Sequence, residues 1–269
     1  MKTRSPTESD VNRWIRLGFG QEVGAAYKPF VWVRDVASPR RSHMIASALT
    51  GRVHHYFDEL EGELHTLLEY RGDVVDIKEG FAALPWSETQ DIARALSVHH
   101  PAYGNRTPRV LTTVMVKLNR PDGVERVAIR IASGKQPTDV ASLHELLILR
   151  IFWGRRGIKF FVPTDRTLPR RRAQNLSNFY GGVLNQAVDQ ALVSVEEFAA
   201  EFAAHWSPSL PHKTLMQKLC KRLGLTEEVA AALLGRGIWR RLIEIDLDAP
   251  ISPLVPLSLH GGACRVPAV

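Results

Sequence analysis

The chain has 269 residues, 45% of them hydrophobic and 23% charged, and this ordinary globular composition excludes a wholly disordered protein. No apolar run approaches the roughly 18 residues that a membrane helix needs, and residues 1–8 lack the apolar region of a secretory signal. Two cysteines, Cys220 and Cys264, are too few for a disulfide framework or a cysteine-only zinc site. We therefore expect a cytoplasmic protein, with no membrane partner, of one large or two smaller domains.

The charge balance is basic. Thirty-five Lys and Arg residues stand against 28 Asp and Glu residues, which gives a formal net charge of +7. Such an excess suits a polyanionic partner, of which nucleic acid is the commonest. A basic protein that is merely soluble has the same balance, so charge leaves both interpretations open.

The first half of the chain alternates predicted helices and strands. Residues 1–26 indicate a short helix followed by a loosely held N-terminal arm. Phe30–Val36 and Met44–Ala48 have strand patterns, and the apolar residues of 57–70 recur at helical spacing. Later predicted elements are a strand at Val74–Ile77, helices at Trp86–Leu96 and Ser142–Trp153, and a strand at Gly157–Val162. This alternation favours an α/β domain.

One carboxylate of the predicted helix 57–70 stands at the edge of its apolar stripe. At about 100° per residue, Glu61 falls beside the stripe, whereas Glu59 and Glu63 point outward. A carboxylate beside a buried stripe is typical of a groove, where it is paired or binds a cation. A boundary glutamate that reaches water has the same pattern, and this alternative stays open.

Two further strands form a predicted hairpin, Val110–Leu118 and Val124–Ala132, joined by the turn sequence Asn119–Gly123. A symmetric hairpin places Val114 opposite Arg130. One face then carries Thr112, Val114, Val116, Arg130 and Ala132, and the core face carries Met115, Val127, Ile129 and Ile131. An arginine on an otherwise apolar face needs an acidic partner or an edge position.

The composition changes near residue 168. Arg166 and residues 170–172 mark a basic boundary, and the chain beyond it predicts helices. Lys213–Leu223 and a following helix capped by Thr226 form a predicted helix-turn-helix. Residues 239–247 predict a further helix that runs into a strand, which would complete a winged helix. The tail, 250–269, is predicted to be an extended docking segment or a loose end.

A series of short motifs runs through residues 16–165. They are Arg16, Gly18, Gly20, Tyr27, Pro29-Phe30, Arg41-Ser42-His43, Thr50–His55, Leu60-Glu61, Leu67–Tyr70, Val75–Glu79, Phe81, Leu84-Pro85, His100-Pro101, Thr112-Thr113 and Phe152-Trp153. In this order and spacing the chain resembles the TnsA endonuclease subunit of heteromeric bacterial transposases. The resemblance is weaker in the second half, where it rests on the winged-helix pattern.

The resemblance implies a restriction-endonuclease-like mixed sheet flanked by helices over 27–168, then a mostly helical winged-helix domain over 169–249. In the family, this subunit cuts the 5′ ends of the transposon DNA, a DDE transposase handles the 3′ ends, and an AAA+ ATPase regulates both. A helix Glu and a strand Asp hold magnesium there, and a Gln-x-Lys or Glu-x-Lys pair lies on the next strand. DNA ends, transposase and ATPase are therefore the expected partners.

The sequence departs from the family pattern at the catalytic positions. Glu61 matches the helix Glu, but the strand Asp is replaced by Val114, and the strand pair is replaced by Arg130 and Ala132. Magnesium prefers hard oxygen ligands that include carboxylates. We therefore expect no metal cofactor and no nuclease activity, with Arg130 as the counter-charge to Glu61.

Two alternatives remain. Relocated groups, with Lys135 in the lysine role and Asp58 or Glu69 as a ligand, would keep a magnesium-dependent endonuclease that cuts the 5′ ends. A stand-alone winged-helix DNA-binding regulator is the second. The histidine pairs His54-His55 and His99-His100 are poor metal sites, because neighbours on a strand point to opposite faces.

Binding residues are predicted in both halves of the chain. The candidates for nucleic acid are Arg40, Arg41, Arg52, Arg170, Arg171, Arg172, Lys218, Lys221 and Arg222. The candidates for partner binding are Pro250, Pro253, Leu254, Pro256 and Leu257. Phosphate contacts of the basic residues would give binding with steep salt dependence and no base readout. A solvated basic loop is the alternative for the arginines of the first half.

Overall fold

The computed structural model describes residues 6–21, 26–31, 42–104, 106–132 and 139–260. The chain divides into two compact units, the first ending at Leu168 and the second beginning at Pro169. Among the helices of the described residues, none combines the length and apolar character needed to cross a membrane.

The first unit is built on a four-stranded mixed sheet. Its elements are α1 (Glu8–Arg16), β1 (His43–Ala46), β2 (Val53–Tyr56), α2 (Glu59–Tyr70), β3 (Val74–Ala82), α3 (Trp86–Ala95), β4 (Thr112–Arg120), β5 (Gly123–Ile129), α4 (Val140–Gly154) and β6 (Lys159–Phe161). The sheet order is β3-β4-β5-β6, with antiparallel pairs except for the parallel pair β5-β6, and β1 and β2 form a separate hairpin. The α/β class and the restriction-endonuclease-like mixed sheet with flanking helices are confirmed.

Helices cover both faces of this sheet. Leu60, Leu64 and Leu68 of α2 pack against apolar residues of β4 and β5 on one face. On the other face, α3 and α4 bury Ile92 and Ile148 against a second apolar cluster of the sheet. The alternation of strand side chains decides which residue meets which helix.

The hairpin register differs by one residue from the symmetric prediction. Val114 pairs with Ile129 rather than Arg130, and the same offset holds down to Arg120 opposite Gly123. The physical reason is the turn, which spans only Pro121 and Asp122. A one-residue shift exchanges the two faces of a strand. Ile129 therefore joins Val114 on the α2 face, and Arg130 does not share that face.

Other boundaries follow from local chemistry. The helix predicted over 57–70 begins at Glu59, because the Asp58 side chain accepts a hydrogen bond from the Leu60 N–H at 2.8 Å and caps it. The third strand extends to Ala82 through an irregularity between Lys78 and Phe81, where Gly80 adopts φ 58°. Most of the predicted strand Phe30–Val36 lies outside the described residues.

The second unit is helical over most of its described length. It contains α5 (Arg170–Leu184), a 3-10 turn (Gln186–Gln190), α6 (Val195–His205), α7 (His212–Leu223) and α8 (Glu227–Trp239). Gly224 ends α7 at φ 65°, and the Thr226 side chain caps α8. Helices α5 and α8 approach closely, because a Cβ on Gly182 or Gly235 would lie 2.5 Å from a backbone carbonyl of the other helix.

The helix and strand predicted over 239–247 are wrong. Helix α8 ends at Trp239, where the N–H groups of Leu242 and Ile243 both bond the Gly237 carbonyl and Arg241 turns to φ 60°. Within the described stretch 240–260, regular pairing is limited to one antiparallel bridge, between Ile245 and Leu259. The described residues therefore contain no strand pair that would serve as a wing.

The described part of the tail packs on its own unit. Backbone N–H groups of His212 and Lys213 donate to the carbonyls of Val255 and Pro253, each at 2.9 Å, so the tail satisfies the start of α7. Leu257 is buried, and its carbonyl accepts a hydrogen bond from the Trp206 indole at 3.0 Å. The prediction of Leu257 as a partner-binding residue is therefore wrong, whereas Leu254 is 78% exposed.

Candidate functional site

The first unit contains a cleft of about 640 Å³. Its walls come from the N-terminal end of α2, the adjoining ends of β4 and β5, and α4. Its charged and polar lining includes Asp58, Glu61, Glu79, Arg109, Thr113, Arg130 and Glu145, beside apolar and aromatic groups such as Val110, Val114, Ile129 and Tyr103. Glu61, Val114 and Arg130, three of the four predicted catalytic positions, line this one cleft.

Glu61 lies on the first turn of α2. Its Oε2 accepts a hydrogen bond from the Phe57 N–H at 2.9 Å, and the helix N-terminus favours its negative charge. Val114 and Ala132, which the sequence analysis assigned to the family's strand Asp and Lys positions, are buried apolar residues. Ala132 is tied to the chain after β6, since its N–H donates to the Pro163 carbonyl at 3.1 Å. Neither residue offers a ligand atom on its side chain.

Arg130 forms an ion pair that the sequence interpretation missed. Its Nη2 lies 3.0 Å from Oε1 of Glu145, a buried residue of α4. The other oxygen of Glu145 pairs with Arg109, so one carboxylate bridges two guanidinium groups. Glu145 raises the pKa of Arg130, and the negative charge of Glu61 adds to this effect.

The hairpin register explains why Arg130 meets α4. With Val114 opposite Ile129, the next position, Arg130, falls on the sheet face that α4 covers. A sequence signal for Glu145 existed, because it lies on the buried stripe of α4 with Ile148, Leu149 and Phe152. The role of Arg130 as counter-charge to Glu61 stays a prediction beside this observed pair with Glu145.

The predicted substitute ligands are not gathered at one point. Asp58 lines the cleft, where it also caps α2. Glu69 accepts hydrogen bonds from the Leu49 N–H at 2.9 Å and the Ser47 hydroxyl at 2.8 Å, and it is not among the cleft residues. Lys135 lies outside the described residues. Within the described ranges, no three His, Cys, Asp or Glu side chains are placed to hold a metal ion.

Arg52 belongs to a buried network rather than to a DNA-facing surface. Its guanidinium donates to both oxygens of Glu79, at 2.9 and 2.7 Å, and to the Ile77 carbonyl at 2.6 Å. Its side chain is only 15% exposed. The prediction of Arg52 as a phosphate contact is therefore wrong, because its donors are used inside the protein. Arg40 and Arg41 lie outside the described residues.

The same carboxylate binds a buried histidine. His54 Nδ1 lies 2.7 Å from Glu79 Oε2. Burial alone would raise the pKa of Glu79, but the bonds from His54 and Arg52 outweigh it and lower this pKa to about 2. Burial lowers the pKa of His54, with opposition from Glu79. This network fixes the β1–β2 hairpin to β3 beside the cleft.

The basic candidates of the second unit lie on two helices. On α5, Arg171 is exposed and Arg172 pairs with Asp248. On α7, Lys218 and Lys221 are exposed one turn apart, and Arg222 Nε lies 2.6 Å from Glu201 Oε2. Of the predicted basic residues of this unit, Lys218 and Lys221 thus form an exposed basic pair on one helix, α7.

No family model matches the chain. The chain is 32% identical over 202 residues to the Escherichia coli protein named Transposon Tn7 transposition protein TnsA, and the match covers 75% of this chain and 69% of that protein. The match and the mixed sheet of the first unit point to the same family. The chain therefore belongs to the TnsA family.

Proposed function

We propose that this chain is a subunit of a heteromeric cut-and-paste DNA transposition machinery, with an inactive nuclease centre and an architectural role. It would hold the transposon ends, a DDE transposase and an AAA+ ATPase regulator in one assembly. The family membership supports a transposition function, since the relative is named a transposition protein.

One observation carries the proposal of inactivity. The positions that the resemblance assigns to the family's strand Asp and Lys are Val114, which lines the cleft with Glu61, and Ala132, which does not, and both are buried and apolar. The remaining position is Arg130, a cation paired with Glu145. A divalent ion near Glu61 would meet a guanidinium instead of a second carboxylate, and like charges repel strongly in a partly buried site.

An active endonuclease with relocated ligands is the main alternative. Asp58 favours it, because this carboxylate lines the same cleft as Glu61. A stand-alone winged-helix DNA-binding regulator is less well supported, since the described residues 240–260 give one bridge in place of a wing.

A nicking assay tests the proposal. Transposon-end DNA is incubated with the full chain, the partner transposase, and magnesium or manganese, with an active TnsA-family nuclease as the positive control. We expect no cut at the 5′ ends with this chain. Cutting that is lost in Glu61→Ala would establish the endonuclease alternative, and sequence-specific binding by residues 170–269 alone would support the regulator.

The binding surfaces are tested separately. We propose that Lys218 and Lys221 contact the DNA backbone and that the exposed Leu254, with Pro250, Pro253 and Pro256, contacts the ATPase. Charge-neutral variants of the two lysines should weaken DNA binding uniformly across sequences. Leu254→Ser should weaken capture of the ATPase and leave DNA binding unchanged.

A further inference from the structure

We infer that the cleft binds a phosphodiester of DNA directly, through the guanidinium groups of Arg109 and Arg130 and the hydroxyl of Thr113, without a metal ion. This inference rests on the proposed function, a subunit that holds DNA ends without cutting them. It assigns a ligand to the same cleft and replaces the role of the divalent ion with protein groups.

The first support is the way in which Glu145 positions two cations. One of its oxygens pairs with Arg130 at 3.0 Å and the other with Arg109. The three groups together carry a formal charge of one positive unit, so the bridge orients the guanidinium groups without cancelling both of them. The Arg109 and Arg130 side chains remain 40% and 30% exposed. A guanidinium has several N–H donors in a planar fork that matches phosphate oxygens.

The second support is a buried hydroxyl in the same cleft. Thr113 is 2% exposed and lines the cleft, and its Oγ1 has no hydrogen-bond partner among the described residues. The last residue pair of β4 and β5 is Val114 with Ile129, and Thr113 and Arg130 are the residues next to that pair on the two chains. A buried polar group without a partner is costly. A phosphate oxygen held by Arg130 would accept a hydrogen bond from this hydroxyl.

The cleft contains three carboxylates besides Glu145, namely Asp58, Glu61 and Glu79, and each accepts hydrogen bonds within the protein. Glu79 is bonded to Arg52 and His54. Asp58 and Glu61 accept hydrogen bonds from backbone N–H groups at the start of α2. Glu61 nevertheless places a negative charge beside the bound phosphate. Removing that charge should therefore strengthen DNA binding. If binding depended on a metal ion, the same change would instead abolish it, because Glu61 is the one carboxylate at a family ligand position.

The experiment measures the affinity of the full-length chain for labelled transposon-end duplex by fluorescence anisotropy, in EDTA and over a series of salt concentrations. We expect binding to persist in EDTA. Arg130→Gln and Arg109→Gln should each weaken it about tenfold, the typical loss for a hydrogen bond to a charged group. Each should also reduce the slope of log affinity against log salt by about 0.9. Arg94→Gln, an exposed arginine of α3 paired with Asp91, is the matched control and should change neither quantity.

Three further variants sharpen the test. Glu61→Gln should tighten binding in EDTA, and Thr113→Val, which keeps the side-chain shape, should weaken it a few-fold. Arg130→Lys keeps the charge and removes the fork, so its affinity should lie between those of the wild type and Arg130→Gln. Circular dichroism and thermal melting identify any variant that fails to fold. If Arg130→Gln fails to fold, the comparison rests on Arg109→Gln.

The inference is overturned if the wild type binds only when magnesium is added, or binds no DNA. It is also overturned if folded Arg109 and Arg130 variants match the wild type in affinity and slope, or if Glu61→Gln weakens binding. If the wild type binds no DNA, the proposed role of holding transposon ends fails together with the phosphate site. If the wild type binds DNA in EDTA but the folded Arg109 and Arg130 variants match it, the phosphate site alone fails and the architectural function stands.

Discussion

Arg130 Nη2 lies 3.0 Å from Glu145 Oε1 in the cleft of the first unit. Because Glu145 is buried and also bridges Arg109, its removal would leave two guanidinium groups without the carboxylate that they share. We expect Glu145→Gln to lower the free energy of unfolding by about 2 kcal/mol, between the values for surface pairs and for fully buried pairs. Urea unfolding would measure the change.

The control for this prediction is Asp91→Asn, which breaks the exposed pair with Arg94 and should change stability by less than about 0.5 kcal/mol. A double-mutant cycle with Arg130→Gln isolates the pair itself. Additive effects of Glu145→Gln and Arg130→Gln would contradict the expected coupling.

Restoring the family residues should restore metal binding. We expect the triple variant Val114→Asp, Arg130→Gln, Ala132→Lys to nick transposon-end DNA with magnesium, because it returns the carboxylate, the amide and the lysine that the resemblance assigns to these three positions. Val114→Asp alone should stay inactive, since it buries a carboxylate while Arg130 remains.

A second readout of the triple variant is independent of cutting. Its melting temperature should rise on addition of magnesium, because an ion that binds the folded state stabilises it. The wild type should show no such rise. A triple variant that folds but neither nicks DNA nor responds to magnesium would show that the scaffold has lost more than three side chains.

The buried His54–Glu79 pair predicts a dependence of stability on pH. Burial holds the pKa of His54 below its ordinary value of 6.5, so the unfolded chain binds this proton more readily. The stability from this group is complete above pH 6.5 and declines as the pH falls below it. Urea unfolding should be measured at pH 7.5 and pH 5.5, about one unit above and below the ordinary histidine pKa. We expect a lower free energy of unfolding at pH 5.5.

Two comparisons separate the contribution of His54 to this pH dependence from the contributions of other groups. His100 and His212 also have pKa values lowered by burial, so His54→Gln should reduce the slope without removing it. Glu79, with a pKa of about 2 against an ordinary 4.5, contributes stability that is present above pH 4.5 and lost toward pH 2. An unchanged slope between pH 7.5 and pH 5.5 in His54→Gln would refute the assignment.

The α5–α8 contact predicts opposite outcomes at neighbouring glycines. A Cβ on Gly182 would lie 2.5 Å from the Ala232 carbonyl oxygen, whereas a Cβ on Gly181 meets nothing within 4 Å. We expect Gly182→Ala to destabilise the protein by about 2 kcal/mol through overpacking. Gly181→Ala should stabilise it by up to about 1 kcal/mol, because alanine favours the helix. Thermal melts of the two variants would measure both changes in stability. Equal effects of Gly182→Ala and Gly181→Ala would contradict the close approach of α5 and α8.

Periodic patterns predicted most of the secondary structure, because apolar spacing is a local property. The stripe of Leu60, Leu64 and Leu68 indicated α2, and Asp58 shortened that helix by two residues through its cap. The hairpin was predicted, but its turn is shorter than the symmetric one, and this difference moved Arg130 to the other face. No local pattern reports such a shift.

The site was predicted only in part, because a local sequence pattern does not show which distant residues the fold brings together. Glu61 and Val114 were placed in one cleft by the resemblance. The partner of Arg130, Glu145, comes from a helix that only the tertiary fold brings near. Arg52 was assigned to DNA because it lies within a family motif, and the sequence does not show that its partner Glu79, on β3, lies next to it. In the second unit, the helix and strand predicted over 239–247 are replaced by turns, because backbone bonds to the Gly237 carbonyl close α8.

The anchoring of the tail on α7 affects how deletion studies should be interpreted. The carbonyls of Pro253 and Val255 hold the first amides of the helix that presents Lys218 and Lys221. A chain shortened before Pro253 would fray this helix at its start and uncover the Trp206 indole. Loss of both ATPase capture and DNA affinity in such a truncation would therefore arise from one structural defect, and single substitutions at Leu254 separate the two activities.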